Sequence, residues 1–217
     1  LQQAGLKNEL CRIIAEGRYR TEASLLRDGE KLEAWLTQPD CHALCMEDAA
    51  YPALLRQIHC PPALLYVRGN LAALNYQALA MVGSRKPSVD GLRSARAFAS
   101  AFAEAGLVIH SGLAVGIDGA AHQGVLDVGG MTGAVMATGM DQIYPKSHRK
   151  LAEQICERGA LLTEMPLGTA PTPNNFPRRN RLISGLSRGV LVVEASLQSG
   201  SLITARQAGE QGREVFA

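Results

Sequence analysis

Leu79-Ala80-Met81-Val82-Gly83-Ser84-Arg85-Lys86-Pro87-Ser88 reads as an apolar strand that ends in a glycine-bearing turn with two cations. The same pattern repeats along the chain. Apolar strands are expected at 79–82, 107–110, 133–137, 160–163, 190–193 and 214–217, with helical windows between them. Strands that alternate with helices require right-handed crossovers, so the fold class is α/β, a doubly wound, mostly parallel sheet covered on both faces. Ligands of such sheets collect beyond the carboxyl ends of the strands.

Ahead of this alternation the pattern is helical. Leu6, Leu10, Ile13 and Ile14 form one apolar stripe, and Leu25, Leu26, Leu32, Trp35 and Leu36 form a second. These read as short packed helices. Tyr51-Pro52, Cys60-Pro61-Pro62 and Gly69-Asn70 are breakers, which leaves a connector with one short strand at 64–67. The expected organisation is a small, partial all-helical domain over 1–50, a connector over 51–70 and the sheet domain over 71–217, with the boundary near Gly69. Leu1 stands where a start methionine would, and residues 213–217 read as a strand cut off at its end. The chain is therefore expected to be a fragment with a truncated C-terminal end.

Composition narrows the function. Over 217 residues the net charge is only +2, so any nucleic-acid affinity must come from local clustering. The five cysteines, an odd number without paired spacing, suit reduced thiols in a cytoplasm better than a disulfide framework. Cys41, His42 and Cys45 lie close enough to raise a metal, but no second ligand pair follows, and neither a metal nor a cofactor is expected. No apolar run reaches membrane-spanning length and no signal-peptide pattern opens the sequence. The expected location is the cytoplasm, away from membranes.

The strand ends carry the chemistry. After the first comes Gly83-Ser84-Arg85-Lys86, where a glycine allows close backbone approach and two cations supply charge for a phosphate. After the second comes Ser111-Gly112 with Gly116 and Asp118, a glycine-bearing turn that opens a helix. It lacks both G-x-G-x-x-G and the Gly-Lys-Ser/Thr of a P-loop, so neither a dinucleotide site nor ATP hydrolysis is supported. After the third, Tyr144-Pro145 precedes Lys146, and after the fifth, Ser199-Gly200-Ser201 can cap a helix whose free N–H groups face the same crevice. Asp118 and His122, one helical turn apart, have the makings of an acid/base pair, but no serine or cysteine is placed as their nucleophile and no catalytic residue is expected.

Phe176-Pro177-Arg178-Arg179-Asn180-Arg181-Leu182-Ile183-Ser184-Gly185-Leu186-Ser187 is an arginine-loaded helix start that runs into the strand at 190–193. Pro177 suits a first turn, and Leu182, Ile183 and Leu186 make its buried stripe. Arg178 and Arg181 fall on the solvent side, to hold a neighbouring phosphate or to pair with acids. Arg179 falls on the apolar side, and its guanidinium is expected to project past the helix end into the crevice. Cations thus gather at one sheet edge from Arg85 with Lys86, from Lys146, and from Arg178, Arg179 and Arg181, and such an edge fits a row of phosphates better than one small ligand. Tyr144 and Phe176 are the aromatics beside it, expected to pack beneath the loops.

Taken in order, Val82-Gly83-Ser84-Arg85, Ser111-Gly112-Leu113-Ala114 with Gly116-Ile117-Asp118 and His122, Tyr144-Pro145, 176–187 and Ser199-Gly200-Ser201-Leu202-Ile203-Thr204-Ala205 resemble the DprA/Smf family of DNA-processing proteins. The resemblance covers 51–217. It implies an extended Rossmann-like fold, with the helical N-terminal part resembling a SAM-like or helix-hairpin-helix-like domain. It also implies a non-enzymatic protein that binds single-stranded DNA without sequence preference, loads the recombinase RecA onto it, protects incoming DNA in natural transformation and homologous recombination, and forms homodimers. By motif, the family's strand-binding arginine corresponds to Arg85, its pocket to Gly83 and Ser84, and a DNA-facing basic residue to Lys146.

The rival reading is a nucleotide-binding sensor or a nucleoside-monophosphate phosphoribohydrolase of the same broad superfamily. Those hydrolases carry Pro-Gly-Gly-x-Gly-Thr followed by a glutamate. Here Glu194 and Ser199-Gly200-Ser201 follow the strand without paired glycines.

Overall fold

A computed structural model describes residues 22–217. The chain divides into two compact units, 1–38 and 39–217. In the first, helix α1 (Glu22–Leu36) carries the second apolar stripe, with Trp35 buried and Leu36 exposed. The first stripe, Leu6 to Ile14, lies outside the described residues.

The second unit is one eight-stranded sheet. Its strands are β1 (Cys41–Cys45), β2 (Leu64–Gly69), β3 (Ala78–Val82), β4 (Val108–Ser111), β5 (Thr132–Val135), β6 (Ala160–Thr163), β7 (Gly189–Val192) and β8 (Glu214–Phe216), in the spatial order β1-β2-β6-β5-β4-β3-β7-β8. From β6 across to β8 all neighbours are parallel, whereas β1 and β2 run antiparallel at one edge. All six expected strands of the alternation are present, within two residues at each end. The sheet unit begins well before the expected boundary near Gly69. β2 is the strand expected in the connector, and it continues the main sheet by pairing Tyr66 with Thr163 and Val67 with Leu162. β1, read from sequence as part of the helical domain, then covers the edge of β2 from Cys41↔Arg68 to Cys45↔Leu64.

The remaining helices are α2 (Ala53–Arg56), α3 (Val89–Glu104), α4 (Ile117–Asp127), α5 (Arg149–Arg158), α6 (Asn175–Gly185) and α7 (Ser201–Glu210). Strand alternation sorts the sheet's side chains between two layers. Ala80, Val82, Val190 and Val192 face one layer, where Leu55, Leu182, Ile183, Leu186 and Ala208 pack. Met81, Leu79, Leu191 and Val193 face the other, with Ala99, Ala121, Val125 and Phe102. Leu182 and Ile183 are at most 1% exposed, and burial of such a side chain stabilises the fold by about 1.5–3 kcal/mol.

Chain order runs outward from β3 through β4 and β5 to β6, then returns to the opposite side of β3 as β7 and β8. The topological switch point therefore lies between β3 and β7, and the loops that leave these two strands flank a crevice.

Candidate nucleic-acid interface

At that switch point lies an open cleft of about 1040 Å³. One wall is the loop after β3, with Gly83, Ser84, Arg85 and Lys86. The opposite wall is the loop after β7, from Glu194 to Ser201, and the start of α7. Tyr144 and the first turn of α6, with Phe176 and Pro177, form the rim, and Asp118, Arg179 and Asn180 also line the cleft.

The β3 loop is held by its own polar groups. Ser84 donates its N–H to the Glu194 carbonyl at 2.7 Å, its hydroxyl accepts the Lys86 N–H at 3.0 Å, and its carbonyl accepts the Ile117 N–H at 3.1 Å. That last approach requires Gly116, which has φ of +85° and stands where a Cβ would lie 2.3 Å from the Ser84 oxygen. Gly83 is required for packing: a Cβ there would lie 2.6 Å from Ile117. Arg85 and Lys86 are exposed, and among the described residues neither has a carboxylate partner within ion-pair distance. The Arg85 guanidinium instead lies over Phe176, 4.9 Å from the ring centroid. The Phe176 and Tyr144 rings are 5.7 Å apart and tilted by 52°, and Tyr144 is 46% exposed. Both aromatics border the cleft rather than packing beneath the loops: Phe176, in the first turn of α6, meets Arg85, and Tyr144, from the loop after β5, meets Phe176.

Arg179, expected to project past the helix end into the crevice, meets protein. It is buried and donates to the carbonyls of Gly112, at 2.7 Å, and Val135. Gly112 in turn donates its N–H to Asp118 Oδ2 at 3.1 Å. A Cβ on Gly112 would clash with both the Arg179 and the Asp118 side chains. Burial lowers the Arg179 pKa to about 10, opposed by the charge of Asp118 and reinforced by that of Arg85. Burial likewise pushes the Asp118 carboxyl up, against the pull of Arg179 and the N–H groups of Ala114 and Gly112. Between Gly112 and Ala114, Leu113 takes φ of +59°, a strained conformation held by its fully buried side chain.

Several expected contacts are not brought to the cleft. Ser111 is buried and donates its hydroxyl to the Met81 carbonyl at 2.6 Å. Gly112 and Gly116 are occupied as described. Arg181, expected on the solvent side, is half-buried and paired with Glu164, which also pairs with exposed Arg178 at 3.4 Å. Glu164 stands one residue ahead of the acid-free stretch from Met165 to Val193. Lys146 is exposed in a short 3-10 helix, outside the cleft lining. His122 is fully buried and its Nδ1 bonds the Thr132 hydroxyl at 2.7 Å, a hydroxyl that itself donates to the Ile109 carbonyl. Its imidazole is turned into the core, away from the cleft.

At the other wall, Ser199 and Ser201 share a hydrogen bond of 2.6 Å, and the Ser199 hydroxyl accepts the Ser201 N–H, the first of α7, at 3.3 Å. Asn180 donates to the Gly200 carbonyl at 3.4 Å. Sequence reasoning missed Glu194 as a structural part of the cleft. The signal was a single acid directly after a switch-point strand. Among the described residues no group of three or more metal-ligating side chains forms, and no helix is long and apolar enough to cross a membrane.

Residues 42–217 match the model of the family described as DNA recombination-mediator protein A. Protein Smf of Escherichia coli is 48% identical over the whole of this chain, which covers 56% of that relative. Across this relative and those of Synechocystis and Streptococcus pneumoniae the covered share runs from 45% to 66%, so the chain spans about half the length of the curated relatives it matches. Among solved structures, DNA processing protein A from Streptococcus pneumoniae superposes with a TM-score of 0.80 at 41% identity, over 92% of this chain and 71% of that one. A structure concerned with the single-stranded DNA binding mode of DNA processing protein A from Helicobacter pylori gives 0.73 at 29% identity, over 80% and 79%.

Proposed function

The chain belongs to the DNA recombination-mediator protein A family, and we propose that its switch-point cleft binds single-stranded DNA without sequence preference. The observation that carries this reading is Arg85: an exposed cation without a carboxylate partner among the described residues, seated on Phe176 beside Lys86. A single strand offers phosphates and base faces together, and Arg85 with Lys86 suits the former while Tyr144 with Phe176 suits the latter. None of these groups reads base identity. A duplex hides its base faces, so the aromatic rim favours the single strand.

The lining includes three cations, Arg85, Lys86 and Arg179, and two carboxylates, Asp118 and Glu194. Because Arg179 serves the fold, the phosphate-facing charge reduces to Arg85 and Lys86, with Lys146 as an outer contact two residues beyond Tyr144. Binding without chemistry fits the same geometry. His122 is turned away from the cleft, and both Glu194 carboxylate oxygens are engaged by Ser88. The nucleotide-cleaving alternative would have to draw on these groups.

Loading RecA onto the held strand, protection of incoming DNA in transformation, homodimerisation and a cytoplasmic location, all implied by the resemblance, complete the proposal. The single-strand reading is supported by the streptococcal and Helicobacter relatives, named for DNA processing and, in the latter case, for single-stranded DNA binding. The test is a fluorescence-anisotropy titration with an oligothymidine and a duplex of equal length. Tighter binding of the single strand is expected. Equal affinity for the two, or release of free base from nucleoside monophosphates, would overturn the reading.

A further inference from the structure

Glu194 leaves β7 at the switch point and reaches back across it. Its carbonyl accepts the Ser84 N–H at 2.7 Å. Its carboxylate accepts the Ser88 N–H through both oxygens, at 3.0 and 3.1 Å, and the Ser88 hydroxyl at 2.6 Å. One residue thus pins both ends of the 84–88 loop, and Arg85 and Lys86 lie between the pins. Ser88 is also the N-cap of α3, where its hydroxyl accepts the Gly91 N–H at 2.9 Å. A Cβ at Gly91 would lie 2.2 Å from Glu194 Oε2, so the carboxylate fits closely against the first turn of that helix.

A carboxylate in the lining of a cleft that takes phosphate repels the ligand. Its presence in that place has a geometric reason. We infer that Glu194 is a positioning residue for DNA binding: it holds the 84–88 loop so that the Arg85 guanidinium is presented over Phe176 and into the cleft. The inference rests on the cleft being a single-stranded DNA site. The carboxylate acts through Arg85 and makes no contact with the strand.

Charge and geometry give opposite signs for Glu194→Gln. The amide removes the negative charge, which by electrostatics alone tightens binding. It also replaces one acceptor oxygen with an NH₂ group that cannot accept from Ser88. Loss of those bonds is expected to weaken oligothymidine binding by about fivefold. In an Arg85→Ala background the same substitution is expected to change affinity by less than about twofold, since residues that act through one another are not additive. A purely structural role would weaken both backgrounds equally.

A second readout needs no DNA. Trypsin cleavage after Arg85 is expected to be faster in Glu194→Gln than in the parent chain, with cleavage at other sites unchanged. Ser88→Ala, which removes the hydroxyl bond to Glu194 together with the α3 cap at Gly91 but keeps the Ser88 N–H bonds to the carboxylate, is expected to shift both readouts in the same direction by less, and it carries the test if Glu194→Gln does not fold. Tighter or unchanged binding, an equal loss with and without Arg85, or an unchanged cleavage rate would each overturn the inference. If the parent chain binds no single strand, the functional reading fails on its own, while the proteolysis still decides whether Glu194 holds the loop.

Discussion

Arg179 donates Nη1–H to the carbonyl of Gly112 at 2.7 Å, joining α6 to the turn that follows β4. An arginine that the sequence aims at a ligand is thereby committed to the fold. Removal of one partner from a buried, hydrogen-bonded charge system leaves the others unpaired and typically costs about 3–5 kcal/mol. Arg179→Ala is therefore expected to lower the unfolding free energy by an amount of that order, and the urea midpoint by that loss divided by the m-value. Arg179→Lys is expected to recover only part of it, because both carbonyls accept from Nη1, and an ammonium that replaces this nitrogen has no counterpart to the Nε–H that donates to Asn180 Oδ1 at 3.3 Å. Arg85→Ala, at an exposed position, should leave the midpoint unchanged. An Arg179→Ala chain as stable as its parent, but unable to bind DNA, would return Arg179 to the ligand.

Phe176 and Tyr144 contribute through stacking, which carries little salt dependence. Replacement of either by alanine is expected to weaken oligothymidine binding by about 1–3 kcal/mol while leaving the slope of affinity against salt unchanged. Titrations of both variants at two salt concentrations check this. Loss of stability without loss of affinity would mean that the rings only pack.

Two buried histidines make the fold sensitive to acid. Burial lowers the pKa of His110 from its ordinary 6.5 to about 4, and that of His122 to about 3, where nearby His148, His110 and Arg179 add to the effect. Both are neutral in the folded chain. Once unfolded, each takes up a proton as the pH falls through 6.5, so their full contribution to stability is present above that value and is lost progressively below it. Each loss amounts to about 1.4 kcal/mol per pH unit until the folded pKa is reached. Urea midpoints are expected to fall from about pH 6.5 to about pH 5, above the range where most carboxylates titrate, and His122→Gln should reduce the slope by one proton. A midpoint that stays flat over that interval would contradict this account.

The sheet was legible because its parallel strands are buried on both faces and read as unbroken apolar runs, as at 79–82 and 160–163. β1 was not, because Cys-His-Ala-Leu-Cys is a short edge strand whose partner β2 follows only after residues 46–63, which include α2, so nothing local marks the pairing. Helical geometry placed the Arg179 side chain correctly along α6. What it meets there, Gly112, Val135 and Asp118, comes from strands and turns distant in sequence, and no local pattern carries that information. Arg181 was misjudged for the same reason, since Glu164 belongs to the end of β6 and not to the helix. Arg85 was legible because its role depends on a turn adjacent in sequence. Glu194 was visible as a residue, but its bonds to Ser88 span 106 positions.

If Arg85 and Lys86 present the phosphate-facing charge of the cleft, the salt dependence of single-strand binding reports it. For a single strand, each neutralised phosphate contributes about −0.7 to the slope of log affinity against log salt. These two contacts predict a parent slope at least as steep as about −1.4, reduced in magnitude by about 0.7 in Arg85→Ala and by about 1.4 in the double variant with Lys86→Ala, all three folded alike. A parent slope near zero, or one that the double substitution leaves intact, would contradict the account.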